Sequence, residues 1–224
     1  MDVNVALRAR ISTRAFLPQP VSKELLTAVL DDARWSPSGG NLQPWKVVAV
    51  TGDARQGVID AVNAAAATDP SSQEGDHPMY PAELWEPLRT RRYQVGEQMY
   101  AQLGIPNDDK VARFSRIMEN FNFFGAPVGL FFVTDDRMGA GQWAHLGMFM
   151  QSLALAAVEH GLATCMQEAW AMRRATLKRH FELDEHDYVY CGMSLGFADP
   201  DHPVNQLRSE RVPVDEFTIW HGWS

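Results

Sequence analysis

Residues 141–159 constrain the fold most. Trp143, Leu146, Met148, Phe149, Met150, Leu153, Leu155, Ala156, Ala157 and Val158 leave this helical stretch almost without a polar face. A helix apolar nearly all the way round has to be buried in a core or against a partner. Gly161 can end it, because glycine adopts the left-handed C-cap conformation without a Cβ penalty. Apolar runs at 46–51, 127–134, 163–167 and 188–198 read as strands. Helical patterns fall at 2–11, 23–34, 54–66, 88–103, 108–122 and 170–181. This order predicts an α+β domain with helices on the faces of the sheet. A chain of 224 residues, 46% of them hydrophobic, suits one compact domain.

Charge and composition remove several classes of function. A formal net charge of -8 argues against a broad surface for nucleic acid or anionic membrane, while leaving room for a local arginine cluster. The longest strongly apolar stretch, Phe121 to Val133, is too short to span a bilayer and is broken by Asn122, Gly125 and Pro127. No basic segment leads into an apolar core near Met1, so a cytoplasmic protein is expected. Cys165 and Cys191 form no metal-binding pattern and read as reduced core residues.

Between a helical and a strand-like pattern lies Ser36-Pro-Ser-Gly-Gly-Asn-Leu-Gln-Pro-Trp45. Two glycines leave backbone groups open to a flat ligand, and Asn41 and Gln43 add amides. The loop reads equally as an ordinary helix-to-strand turn. Arg10 and Arg14, four apart with Ser12 and Thr13 between them, read as a phosphate grip or as a solvated basic helix end. Arg208 and Arg211 form a second basic pair, and Cys165-Met-Gln-Glu-Ala-Trp170 is a polar break after a short strand. From 67 to 87 runs a long loop containing Pro70, Pro78, Pro81 and Pro87, and with the helices up to 122 it forms an excursion from the domain.

Two patterns lead nowhere. Gly139-Ala-Gly141-Gln-Trp-Ala144 fits the loose dinucleotide fingerprint, but the acid 20 residues on, Glu159, falls in the same helix instead of ending a second strand. His180, Glu182, Asp184, Glu185 and His186 match no metal-ligand spacing, and no metal is expected.

Taken together, the surviving motifs resemble those of the nitroreductase family, the FMN-dependent homodimers that reduce nitroaromatics and quinones. The family's Arg-x-Ser-x-Arg stands as Arg10, Ser12 and Arg14; its Ser-Pro-Ser-x-x-Asn-x-Gln-Pro-Trp stands as Ser36 to Trp45. Its Gly-Leu…Glu segment stands as Gly161 to Glu168, and its terminal Arg-x-Pro as Arg211 to Pro213. The stretches Glu119 to Phe131 and Asp199 to Asn205 look most like the nitrobenzoate reductase branch. The resemblance implies a mostly antiparallel sheet flanked by helices, in an intertwined homodimer. The helix at 141–159 would form the dimer core, a tail at 204–224 would wrap the partner, and 67–122 would form a lid.

The resemblance also implies roles. Arg10, Ser12, Arg14, Arg211 and Arg208 would hold FMN, Arg208 replacing a basic residue that the family often has at the place of Ser209. Pro37, Ser38, Gly39 and Asn41 would reach FMN from the other subunit, and Gln43 would also bind the cofactor. Gln167, Glu168 and Ala169 would border the flavin, with the Glu168 N–H at N5. Many relatives have Pro at the place of Met166 and Gly at that of Ala169. Tyr80, Trp85, Phe121, Phe123 and Phe124 are candidate substrate contacts. The chemistry would be ping-pong transfer from NADPH or NADH, through FMN, to a nitroaromatic such as a nitrobenzoate, or to a quinone, with no catalytic side chain needed. The alternatives are dehalogenation, enone reduction or flavin destruction on the same scaffold, or a flavin-binding protein without turnover.

Overall fold

The computed structural model describes residues 1–69, 74 and 79–223, so Pro70 and Pro78 of the long loop lie outside the described residues. Ser22 opens the second helix by accepting from the Leu25 N–H at 3.1 Å, the N-cap that its position before Lys23 predicts. The elements run α1 Val3–Ala9, α2 Lys23–Ala33, β1 Lys46–Thr51, α3 Gly52–Thr68, α4 Leu88–Gln102, α5 Lys110–Met118, β2 Val128–Asp135, α6 Ala140–Glu159, β3 Ala163–Gln167, α7 Arg174–His180 and β4 Asp187–Gly196. The four strands pair antiparallel in the order β1-β2-β4-β3.

Strand β2 is buried on both faces, so it carries apolar residues throughout instead of alternating. Leu130 and Phe132 face a core completed by α2 and α6; Phe131 and Val133 face one completed by α3 and α7. Helix α6 turns Leu146, Phe149, Leu153 and Ala157 into the first core, while Met148 on another face stays exposed in the single chain. Trp45, which ends the Ser36 loop, stacks on Phe149 of α6 with ring centroids 4.8 Å apart.

Helix α1 stops at Ala9 instead of reaching 11, and two other helices are much shorter than the patterns predict. The segment expected to be helical to 122 leaves the α conformation after Met118 for a 3-10 stretch, within which Phe123 and Phe124 take left-handed φ of 53° and 52°. Such a backbone is rare for bulky side chains. Here it lays the fully buried Phe123 ring against Gly129 of β2 and near Trp170, with centroids 4.5 Å apart. The segment expected from Trp170 begins as a 3-10 turn at Glu168 and becomes α-helical at Arg174. Trp170 fills the space that a side chain at Gly192 of β4 would need. Gly192→Ala should therefore destabilise by about 1–3 kcal/mol and lower the thermal midpoint by about 3–10 °C. A calorimetric scan checks this, and an unchanged midpoint would contradict the packing.

Candidate active site

The first half of the site joins the two ends of the chain. Residues 12 and 13 run beside β3, where the Thr13 N–H donates to the Thr164 carbonyl at 3.0 Å. Asn205, only 4% exposed, fastens this segment to the C-terminal region. Its Oδ1 accepts from the Arg14 N–H at 2.9 Å, and its Nδ2 donates to the carbonyls of Ala15 and Asp199, both at 2.8 Å. The Arg208 guanidinium donates to the Asn205 carbonyl, also at 2.8 Å. One amide with two donors and one acceptor engaged fixes three backbone groups at once.

The result is a cavity of about 380 Å³ lined by Arg8, Arg10, Ser12, Arg14, Arg208 and Arg211. Acidic residues outnumber Lys and Arg in this chain by 28 to 20. Arg34, Arg89, Arg91, Arg113, Arg137 and Arg173 each meet a carboxylate. Among the described residues, none of the five cavity arginines does. Three of them bond neutral oxygens instead: Arg208 as above, Arg14 Nη1 to the Ser12 carbonyl at 3.3 Å, and Arg211 Nη1 to the Ser209 carbonyl at 2.9 Å and Oγ at 2.8 Å. Their positive charge is left for an anion, which forked guanidinium donors hold well. Arg116 of α5 braces the wall by donating to the Arg14 carbonyl at 2.7 Å.

Strand β3 leads from this cavity to another. Thr164 holds the arginine segment; two residues on, Met166, Gln167, Glu168 and Ala169 line a cavity of about 760 Å³. Its other walls include Tyr80, Phe114, Met118, Phe121 and Met172. Gln167 is locked, with Nε2 donating to the Asn120 carbonyl at 2.8 Å and Oε1 accepting from Ser194 Oγ at 2.7 Å. Partial desolvation at the cavity wall pushes the Glu168 carboxyl above its ordinary range, although the residue keeps an exposed face.

Of the expected substrate contacts, Tyr80 and Phe121 line the larger cavity. Phe123 lies in the core against Gly129, and Phe124 is buried beneath the Arg116 guanidinium, 5.0 Å from its ring centroid. The aromatic run they share with Phe121 is divided by the left-handed turn, which points these rings away from the cavity. Trp85 is exposed and lines neither cavity. Nor do Pro37, Ser38, Gly39, Asn41 and Gln43 line either cavity of their own chain. That loop rests on α6, where the Gly39 N–H donates to His145 Nδ1 at 3.4 Å. Left-handed φ of 57°, 54° and 49° at Gly40, Asn41 and Gln43 coil it. Sequence reasoning missed Phe114, Ile117 and Met118, whose i, i+3, i+4 spacing on α5 was the available signal, and it missed Asn205 and Arg173 altogether.

Comparison with known proteins places the chain in a family. The family model described as Nitroreductase family matches residues 7–197. The chain belongs to the nitroreductase family. Relatives include a nitrobenzene nitroreductase of Ectopseudomonas oleovorans, 37% identical over 96% of this chain and 94% of its own. A 4-nitrobenzoate reductase of Pseudomonas putida is also 37% identical, over 99% and 96%. Among solved structures, the FMN and NADPH-dependent nitroreductase NfnB from sphigopyxis sp. strain HMH superposes with a TM-score of 0.96 at 42% identity over 100% of both chains. The FMN-dependent NfnB from Mycobacterium smegmatis, in complex with NADPH, gives 0.91 at 29% identity over 97% of both.

The raised Glu168 pKa has a consequence for this nitroreductase. A carboxyl with a folded pKa above its unfolded value lowers stability once ionised, so the penalty is absent below the unfolded pKa and full above the folded one. Because Glu168 keeps an exposed face, water screens much of this penalty, and Glu168→Gln should raise the thermal midpoint only slightly at pH 8 and leave it unchanged near pH 3. A gain at low pH alone would contradict the assignment.

Proposed function

We propose that the protein is an FMN-dependent NAD(P)H nitroreductase acting as a homodimer. The observation that carries this reading is the strand β3, which joins a cavity of uncompensated arginines to an apolar, aromatic-lined one. A mononucleotide with a doubly charged tail and a flat ring fits that pair of environments. When bound, FMN supplies a ring that accepts a hydride from NAD(P)H and delivers two electrons to a second substrate. Arg10, Ser12, Arg14, Arg208 and Arg211 would hold the phosphate, and the backbone at Gln167, Glu168 and Ala169 would border the ring. The net reaction is NAD(P)H, a proton and a nitroarene giving NAD(P)+, the nitrosoarene and water. One N–O bond breaks, and its oxygen leaves as water. We assign no catalytic side chain.

Several features support a dimer. Trp35 and Trp223 are each 79% exposed, and Leu42, Met148, Phe217, Ile219 and Trp220 are also exposed large hydrophobics. A second copy would cover them, and its Ser36–Gln43 loop, which lines neither of these cavities at home, would cover the flavin. The excursion of residues 67–122 would act as a lid, with Tyr80, Phe114 and Phe121 as its inner surface. Relatives of equal identity are named for nitrobenzene and for 4-nitrobenzoate, so identity alone does not choose between neutral and acidic substrates.

The deciding experiment is anaerobic. NADPH should bleach the yellow protein, and a nitroarene should restore the colour; binding of FMN without bleaching would indicate a sensor instead. Sedimentation should give twice the 25.1 kDa chain mass. Arg10→Ala removes a charge-assisted donor and should weaken FMN binding by about tenfold to a hundredfold. Asn205→Ala should weaken FMN more than riboflavin, because it loosens the phosphate end only. Equal loss of both ligands by titration would contradict that division.

A further inference from the structure

This inference rests on the nitroreductase reading and concerns which nitroarenes the larger cavity admits. Arg173 is the one cation lining that cavity among the described residues, and it is 5% exposed. Its charge is already engaged. Nη1 donates to the Asp69 carbonyl at 3.3 Å and stands 4.0 Å from Glu74 Oε1. Glu74 is itself fixed: its carboxylate accepts from the Thr176 N–H at 2.6 Å and from Thr176 Oγ1 at 2.8 Å. Its own N–H donates to the Met172 carbonyl at 3.0 Å. Arg173 therefore faces a carboxylate that the start of α7 holds in place.

The remaining charge on the wall is negative. Glu168 lines the cavity. Among the described residues no charged side chain besides Glu168 and Arg173 lines it. The other arginine cluster lines the smaller cavity, where the nitroreductase reading assigns it to the FMN phosphate.

We infer that the cavity selects uncharged nitroarenes over nitroarenes that carry a carboxylate. A carboxylate entering it would lose water and meet Glu168, with only a cation whose charge Glu74 already shares. An uncharged ring loses little solvation and gains contact with Tyr80, Phe114, Phe121 and the methionines 118, 166 and 172. Glu74 acts as a specificity-determining residue by keeping Arg173 occupied, without touching the substrate.

The test uses the FMN-loaded enzyme, saturating NADPH and two substrates of nearly equal shape, 4-nitrobenzamide and 4-nitrobenzoate, at pH 7.5. The expected ratio of kcat/KM, amide over carboxylate, is about tenfold or more. Glu74→Gln should free Arg173 and shrink that ratio at least about threefold, through a lower KM for the carboxylate. A wild-type ratio below about threefold overturns the inference whether or not the variant folds, and the nitroreductase reading survives it. An unchanged ratio in folded Glu74→Gln overturns the role of the Glu74–Arg173 pair. If NADPH bleaches the flavin and neither compound restores the colour, the nitroreductase reading fails and this inference fails with it.

Discussion

Uncompensated positive charge around the smaller cavity is the constraint on which the site depends. Arginines from residues 8–14 and 208–211 repel one another unless something holds their backbones together or an anion lies between them. Asn205 does the first. Its amide spans the two segments with bonds of 2.8 and 2.9 Å and is buried, so water does not compete for those partners. A bound polyanion would do the second. Ligand affinity and fold stability are then linked, since whatever binds only the native state stabilises it in proportion to its excess over Kd.

The precision of the larger cavity comes from packing beneath it. Trp170 lies two residues beyond Glu168 and is fully buried against Gly192. Phe123 lies on Gly129 of the neighbouring strand and against Trp170. Two glycines in adjacent central strands thus receive two large rings, and the rings hold each other. The end of β3 cannot shift without opening a void in this cluster, and interiors at native density tolerate voids poorly. Gln167, bonded to Asn120 and Ser194, adds directional restraint at the same point. The Gln167–Ala169 backbone is therefore set by the sheet beneath it, while its other side faces the cavity.

What the sequence discloses follows from the range of each signal. Strands β1 and β3 and helix α2 are short-range patterns with clear stops, and their bounds come directly from residues such as Ser22, Gly52 and Gly161. The arginine pairs are recognisable because the motif is local, although their meeting is not. Phe123 and Phe124 mislead, since composition marks them as aromatic without recording the left-handed turn that buries them. Asn205 and Arg173 carry no local signal: the first acts on residues 190 or more positions away, and the second on Glu74, about a hundred positions back. The match to the nitroreductase family supplies the long-range order that these pairings need, because the motifs occur in sequence over most of the chain.

The two cavities handle charge by opposite means. In the smaller one, three arginines bond only to neutral oxygens, which fix their geometry and leave the charge available. In the larger one, Arg173, the single lining arginine among the described residues, faces a carboxylate, and that carboxylate is given the N–H and hydroxyl of Thr176. Placing a carboxylate near a buried cation weakens its field in the cavity, so shape and apolar contact weigh more in what enters. An acidic chain of net charge -8 can then hold an anion at one end of β3 and exclude others from the opposite end, with no change in its overall charge.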